Sequence, residues 1–184
     1  MIDMRAMALL STRGRNRGRS LSPVELAIGF ALGGSLLAVF VPTFVRNVHA
    51  SRFVEPVQGI TQIAQAAVAY AGTHPVAQGF PASVGLTPPV PPRGRCEADP
   101  PDLWSRPTWV TLGFTPAPAG EPHCFAFGFD STLSPARSTF RAHAHGDLDG
   151  DGLTSTFEVT GHDVEGDPAG PAIDPGMVVD SEVE

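Results

Sequence analysis

The sequence predicts an α+β protein: a long N-terminal helix, with a transmembrane half and an amphipathic half, packed on a small antiparallel β-sheet head. Three observations predict it. Residues 24–45 are apolar apart from Glu25, Ser35, Pro42 and Thr43, and roughly twenty such residues suffice to cross a bilayer as a helix. Phe53, Val57, Ile60, Ala64, Ala67 and Ala71 then recur at three- and four-residue steps, which is one apolar stripe of a helix. Beyond residue 108, short runs rich in β-branched and aromatic residues alternate with turn residues, the pattern of antiparallel strands.

The chain opens with a basic leader, residues 1–20, holding Arg5, Arg13, Arg15, Arg17 and Arg19 against the single acid Asp3. The full chain has 12 basic and 19 acidic residues and a net charge of −7; without the leader, 7 basic and 18 acidic residues remain, a net charge of −11. That balance excludes nucleic acid as a partner, because phosphate binding needs a clustered basic face. Arginines ahead of the apolar run place the N-terminus in the cytoplasm and everything after about residue 46 outside it.

Within the helix, Pro23 stands in the first turn, where its missing N–H costs little. Pro42 is interior and predicts a kink or local melting, and Pro56 a second bend. Gly29 and Gly33 form a G-x-x-x-G spacing suited to close helix approach in lipid. Gly72 and Pro75 end the pattern. A continuous helix over 21–72 would be roughly 78 Å long at ~1.5 Å per residue.

Glu25 needs a reason, since an unpaired carboxylate in hydrocarbon costs at least a few kcal/mol. It lies five residues past Ser20, and Pro42 follows seventeen residues later. Leader, apolar run, glutamate and proline together resemble the prepilin signal of type IV pilins and the related secretion pseudopilins. In that family a leader is cut just ahead of the apolar segment, with a glutamate at the fifth residue after the cut and a proline at the twenty-second. The resemblance covers about the first fifty residues. Ser20 stands where the family has glycine, and Leu21-Ser-Pro-Val24 replaces the family's common Phe-Thr-Leu-Ile. The resemblance implies cleavage by a prepilin peptidase between Ser20 and Leu21 and methylation of the Leu21 amine. It further implies an assembly role for Glu25 and Pro42 in a homo- or hetero-polymer with other pilins. The protein would then be a single-pass inner-membrane protein that passes into a periplasmic or extracellular filament.

Two other readings stand beside this one. The protein could be a membrane-anchored periplasmic binding module that depends on calcium, its apolar helix an uncleaved anchor. It could instead be a secreted soluble protein cut after Ala50, since Val48-His49-Ala50 fits a small-x-small site. The apolar run is longer than the ~7–15 residues of such signals.

The segments follow as leader 1–20, transmembrane or filament-core helix 21–48, amphipathic half 49–73, Pro-rich connecting loop 74–122, antiparallel sheet with an acidic loop 123–162, and acidic tail 163–184. The Pro-rich stretch holds a dozen of the nineteen prolines. Strands are predicted at Trp109–Gly113, His123–Phe129, Ser138–His145 and Thr154–Thr160, with a short edge strand at Met177–Val179. Trp104 and Trp109 read as core plugs. Cys96 and Cys124, the only cysteines, lie in the exported part and predict a disulfide; the alternative is a pair of small buried thiols.

One motif is site-like. Asp147, Asp149 and Asp151 stand at positions 1, 3 and 5 of a calcium-loop pattern, with Gly152 at 6, Leu153 at 7, Ser155 at 9 and Glu158 at 12. Calcium takes six to eight hard oxygens, and these residues offer carboxylates, a carbonyl and a water site. The pattern resembles an EF-hand loop with strand-like flanks, and some secretion pseudopilins hold calcium structurally. Structural calcium is the one cofactor expected; the competing reading is a solvated acidic hairpin turn. His143 and His145 share one strand face at a spacing that also arises by chance. No Ser–His–Asp, Cys–His or P-loop signature is present, and no enzymatic activity is predicted.

Overall fold

A computed structural model describes residues 22–100 and 102–180, with residues 45–52 as backbone alone. The chain divides into two units, Met1–Arg46 and Asn47–Glu184. Helix α1 (Pro23–Arg52) begins in the first and ends at the start of the second, where α2 (Val54–Ala71) follows it. The single helix expected over 21–72 is therefore interrupted at Phe53. Pro56 falls in the first turn of α2, where no intrahelical donor is needed. The break at Phe53 lies three residues before it.

In the second unit α2 buries Pro56, Gly59, Ile60, Ile63, Ala64, Ala67 and Ala71. These share one core with Phe125, Phe127, Phe129, Phe140 and Phe157. Gly59 is at the closest approach: a Cβ there would run into the Phe127 ring, so only glycine admits the helix at this distance.

The Pro-rich stretch carries structure of its own. A 3₁₀ turn at Val76–Gln78, strand β1 (Val84–Thr87), a second 3₁₀ turn at Leu103–Ser105 and helix α3 (Pro107–Leu112) lie within it. The strand expected at Trp109–Gly113 is thus a helix. Pro107 sits at its first turn and Gly113 closes it with φ +58, the usual proline-start, glycine-stop asymmetry. Trp109 and Leu112, three apart, are buried while Val110 between them is exposed, so burial on one helix face outweighs the β-propensity of Trp-Val-Thr. Trp104 and Trp109 are both core residues. Their indole N–H groups donate to Asp99 Oδ2 (2.9 Å) and Thr87 Oγ1 (3.0 Å).

Strands β2 (Phe125–Ser134), β3 (Arg137–Gly146) and β4 (Ser155–Val164) form the centre of the sheet, ten residues each. With β5 (Ala172–Ile173) and β6 (Val178–Asp180) the order is β1-β2-β3-β4-β5, and β6 also pairs with β4. The five pairs of named strands are antiparallel. On the core face large residues stand opposite small ones: Phe125 with Gly146, Phe127 with Ala144, Phe129 with Ala142, Phe140 with Gly161. Rings laid across glycine fill the layer without collision. The alternate residues make a second, polar face with Asp130, Arg141, His143, His145 and Glu158.

Candidate functional site

The first candidate is the head of α1. Pro23–Phe44 is a 22-residue stretch long and apolar enough to cross a membrane. Ser22 N–H donates to Glu25 Oε2 at 2.7 Å, and Glu25 N–H donates to Ser22 Oγ at 3.2 Å. This is a reciprocal capping box, Ser-x-x-Glu, which satisfies two amides at the helix start. The charge at the mouth of the apolar run therefore has a local partner, and Ser22 is a residue that the sequence reading passed over. The backbone stays α-helical across Pro42, so the local melting expected there is not observed. Thr43 Oγ1 donates to Val39 O at 2.8 Å beside it. Ser20 and Leu21, the expected processing residues, lie outside the described residues.

The second candidate is the cysteine pair. Cys96 and Cys124 are joined in a disulfide with a sequence separation of 28. Around it, Glu97 and His123 exchange backbone hydrogen bonds at 3.0 Å each. Glu55, from α2, accepts the N–H groups of Cys124 (2.9 Å) and Phe125 (3.0 Å). His123 Nε2 lies 2.6 Å from Asp99 Oδ2.

The acidic loop joins β3 to β4. Carboxylate oxygens of Asp147, Asp149 and Asp151 lie within 4.8 Å of one another. Asp147 is buried and accepts the N–H groups of Gly150 (2.8 Å) and Gly152 (3.2 Å). Gly150 and Gly152 take φ of +84 and +94, conformations that favour glycine. Asp149 and Asp151 are exposed and accept from Asp151 N–H (3.1 Å) and Leu153 N–H (2.7 Å). Of the other expected ligands, Leu153 follows directly in the loop, and Ser155 and Glu158 lie on β4. Ser155 is buried and its hydroxyl donates to Gly146 O at 3.2 Å. Glu158 lies on β4 opposite His143, with Arg141 Nη1 donating to its Oε2 at 3.4 Å. Arg93 Nε also stands 3.9 Å from Asp147 Oδ2.

Asp147 is structural whatever the loop holds. Asp147→Ala should lower the unfolding free energy by about 1–3 kcal/mol in calcium-free buffer, because the amides of Gly150 and Gly152 lose the buried carboxylate that accepts from them. A denaturant titration of the full chain in detergent, read against Asp149→Ala, checks this. The exposed Asp149 should cost under about 1 kcal/mol.

On the polar face, burial holds both imidazoles neutral. His143 is pushed down to about 4, by burial first and then by His145 and Arg141, with Asp130 opposing. His145 is also lowered, by burial and then by Arg141. Asp130 Oδ2 accepts from Arg141 Nη2 (2.6 Å) and Nε (3.2 Å). An unfolded histidine titrates near 6.5 and folded His143 about 4, so between these values the unfolded chain holds more protons. Stability from this group is complete above about 6.5 and falls as the pH drops toward 4. With chelator present, wild type should lose about 2–3 kcal/mol more than His143→Gln between pH 7 and pH 4, measured by denaturant unfolding at each pH.

The described residues thus define an α+β protein with an apolar N-terminal helix and a disulfide-closed antiparallel head. Scans of family models, curated proteins and solved structures give no match to this chain.

Proposed function

We propose that this protein is a structural subunit of a type IV pilus or a type II secretion pseudopilus. The observation that carries the reading is Glu25 in the first turn of an apolar helix whose side chains are exposed through Phe44, with Pro42 seventeen residues on. A helix apolar on all sides needs lipid or other such helices around it. In a filament of like subunits the second environment replaces the first. A prepilin peptidase would cut after Ser20 in the inner membrane, and Leu21 would carry the new, methylated amine. Glu25 would then exchange its capping partner Ser22 for the Leu21 amine of a neighbour. The head would lie outside the cytoplasm, in keeping with its disulfide.

The N-terminal residue of the protein recovered from the membrane fraction, read by mass spectrometry, tests this. Methyl-Leu21 is the expected result. Ser51 would make it a secreted protein, and an intact leader would make it an anchored binding module.

The acidic loop adds a structural calcium ion to the reading. Asp147, Asp149 and Asp151 would supply carboxylate oxygens, with water in the place that Glu158 takes in an EF-hand. Calorimetric titration of the full chain with calcium should show one site that Asp149→Asn with Asp151→Asn removes. An unchanged titration in that variant would leave the loop as an acidic turn.

A further inference from the structure

We infer that residues 93–98 form a redox-sensitive strap, through which the Cys96–Cys124 disulfide controls the order of the acidic loop. All six residues are exposed, so burial of their own side chains does not hold them down. Buried Pro92 precedes the strap and half-buried Asp99 follows it. Between those ends it is kept in place by backbone hydrogen bonds and the disulfide. Segments with so few buried contacts are the ones that open locally.

The strap has two anchors. At the first, Arg93 pairs with Asp147 in a parallel bridge and Gly94 N–H donates to Asp147 O at 2.8 Å. Gly94 lies flat against the loop there: a Cβ on Gly150 would stand 3.5 Å from Gly94 Cα. At the second, Glu97 and His123 exchange their backbone bonds, and the disulfide joins the neighbours of that pair, Cys96 and Cys124. The strap therefore ties the approach to β2 to the loop between β3 and β4. Strap and loop meet at Asp147, whose carboxylate also accepts the N–H groups of Gly150 and Gly152. Releasing the strap takes a backbone partner away from the residue that orders the loop.

Cys96 is exposed and Cys124 half-buried, so a dithiol reductant meets the Sγ of Cys96 first. Its thiolate attacks there, the S–S bond breaks, and Cys124 leaves as a thiolate that takes up a proton. The second thiol of the reductant, as thiolate, then displaces Cys96. The protein gains two electrons and two protons, and the reductant departs as its own disulfide. Asp99 stays bonded to Trp104 and His123 and becomes the hinge. The strap then opens on its 93–97 side, and Gly94 leaves Asp147. The same motion occurs with or without an ion in the loop.

Hydrogen–deuterium exchange of the full chain in detergent with chelator, read by mass spectrometry before and after dithiothreitol, tests this. On reduction, peptides spanning 93–98 and 147–152 should exchange at least ~10-fold faster, which is about 1.4 kcal/mol of lost local protection. A peptide spanning 137–146 of β3 should keep its rate. Cys96→Ser with Cys124→Ser should reproduce the reduced pattern. Coupling is reciprocal, so strain in the closed strap must ease reduction. Gly94 has φ +65, and Gly94→Ala should raise the ratio of reduced to oxidised protein at fixed dithiol by roughly fivefold or more. Gly113→Ala, at φ +58 with open space around it, strains the end of α3 in both redox states and should leave the ratio unchanged. Unchanged exchange at 147–152 on reduction overturns the inference, as does equal acceleration across the whole head. A ratio that Gly94→Ala does not move, or that both glycine variants move alike, overturns it equally.

Discussion

Exchanging Glu25 for leucine should leave the protein in the membrane and abolish its assembly. Insertion does not suffer from removing the carboxylate, since a charge in an apolar membrane helix is a cost, largest at the helix centre and smaller at its end, where Glu25 lies. In the proposed filament, assembly loses the carboxylate that would meet a neighbour's N-terminal amine in a medium with no water to replace it. A charge-assisted hydrogen bond is worth about 1.5–3 kcal/mol, or roughly ten- to a hundredfold in the affinity of each added subunit. A polymer that must nucleate through several such contacts multiplies that loss, and the pelleted filament fraction should fall to background.

The capping box makes the experiment sharper. Because Glu25 also accepts Ser22 N–H at 2.7 Å, a leucine there frays the helix start as well as removing the charge. Ser22→Ala separates the two effects. It removes only the hydroxyl that accepts Glu25 N–H at 3.2 Å and should cost about 1 kcal/mol of helix stability, with filaments retained. Membrane fractionation and shearing of surface material, followed by immunoblot, give both readouts. Normal filament yield from Glu25→Leu would remove Glu25 from assembly and leave it a helix cap.

The central strands were legible because β3 and β4 alternate apolar and polar residues and β2 sets Phe125, Phe127 and Phe129 at every second position, with nothing local to contradict the pattern. Helix α3 was not, because its middle residues, Thr108-Trp-Val-Thr111, are strand formers and its identity lies in Pro107, Gly113 and the burial of Trp109. Strand β1 is four residues among prolines, held by pairing with β2 at Phe127 and Phe129, a contact that no local pattern announces. Glu158 illustrates a spacing whose meaning depends on its backbone. After an EF-hand loop a helix turns position 12 back toward the ion. Here β4 begins at Ser155, and three residues at ~3.3 Å carry Glu158 about 10 Å away. It meets Arg141 instead. Ser22, by contrast, was readable from Ser-x-x-Glu alone, since both hydrogen bonds of its cap are local.

Removing the Cys96–Cys124 bridge should have a large effect on the stability of the head. Restraint of a loop of this length in the unfolded chain is worth about 3–4 kcal/mol. That corresponds to roughly 10–20 °C in Tm for a domain of this size. The loop that it closes contains Trp104, α3 and Phe114, three contributors to the core, so without it much of one wall is tied on by packing and hydrogen bonds alone. Cys96→Ser with Cys124→Ser, and wild type under reductant, should melt at the same lowered temperature by circular dichroism. A shift below about 3 °C in both would mean that the unfolded chain is restrained by something else. Glu55→Ala distinguishes restraint from local contact. Its carboxylate bonds to the amides of Cys124 and Phe125, so its loss costs about 1–3 kcal/mol in the folded state. If the bridge acts on the unfolded chain, the two costs add, because they fall on different states. If it acts by holding Cys124 in place for Glu55, the double change costs less than the sum.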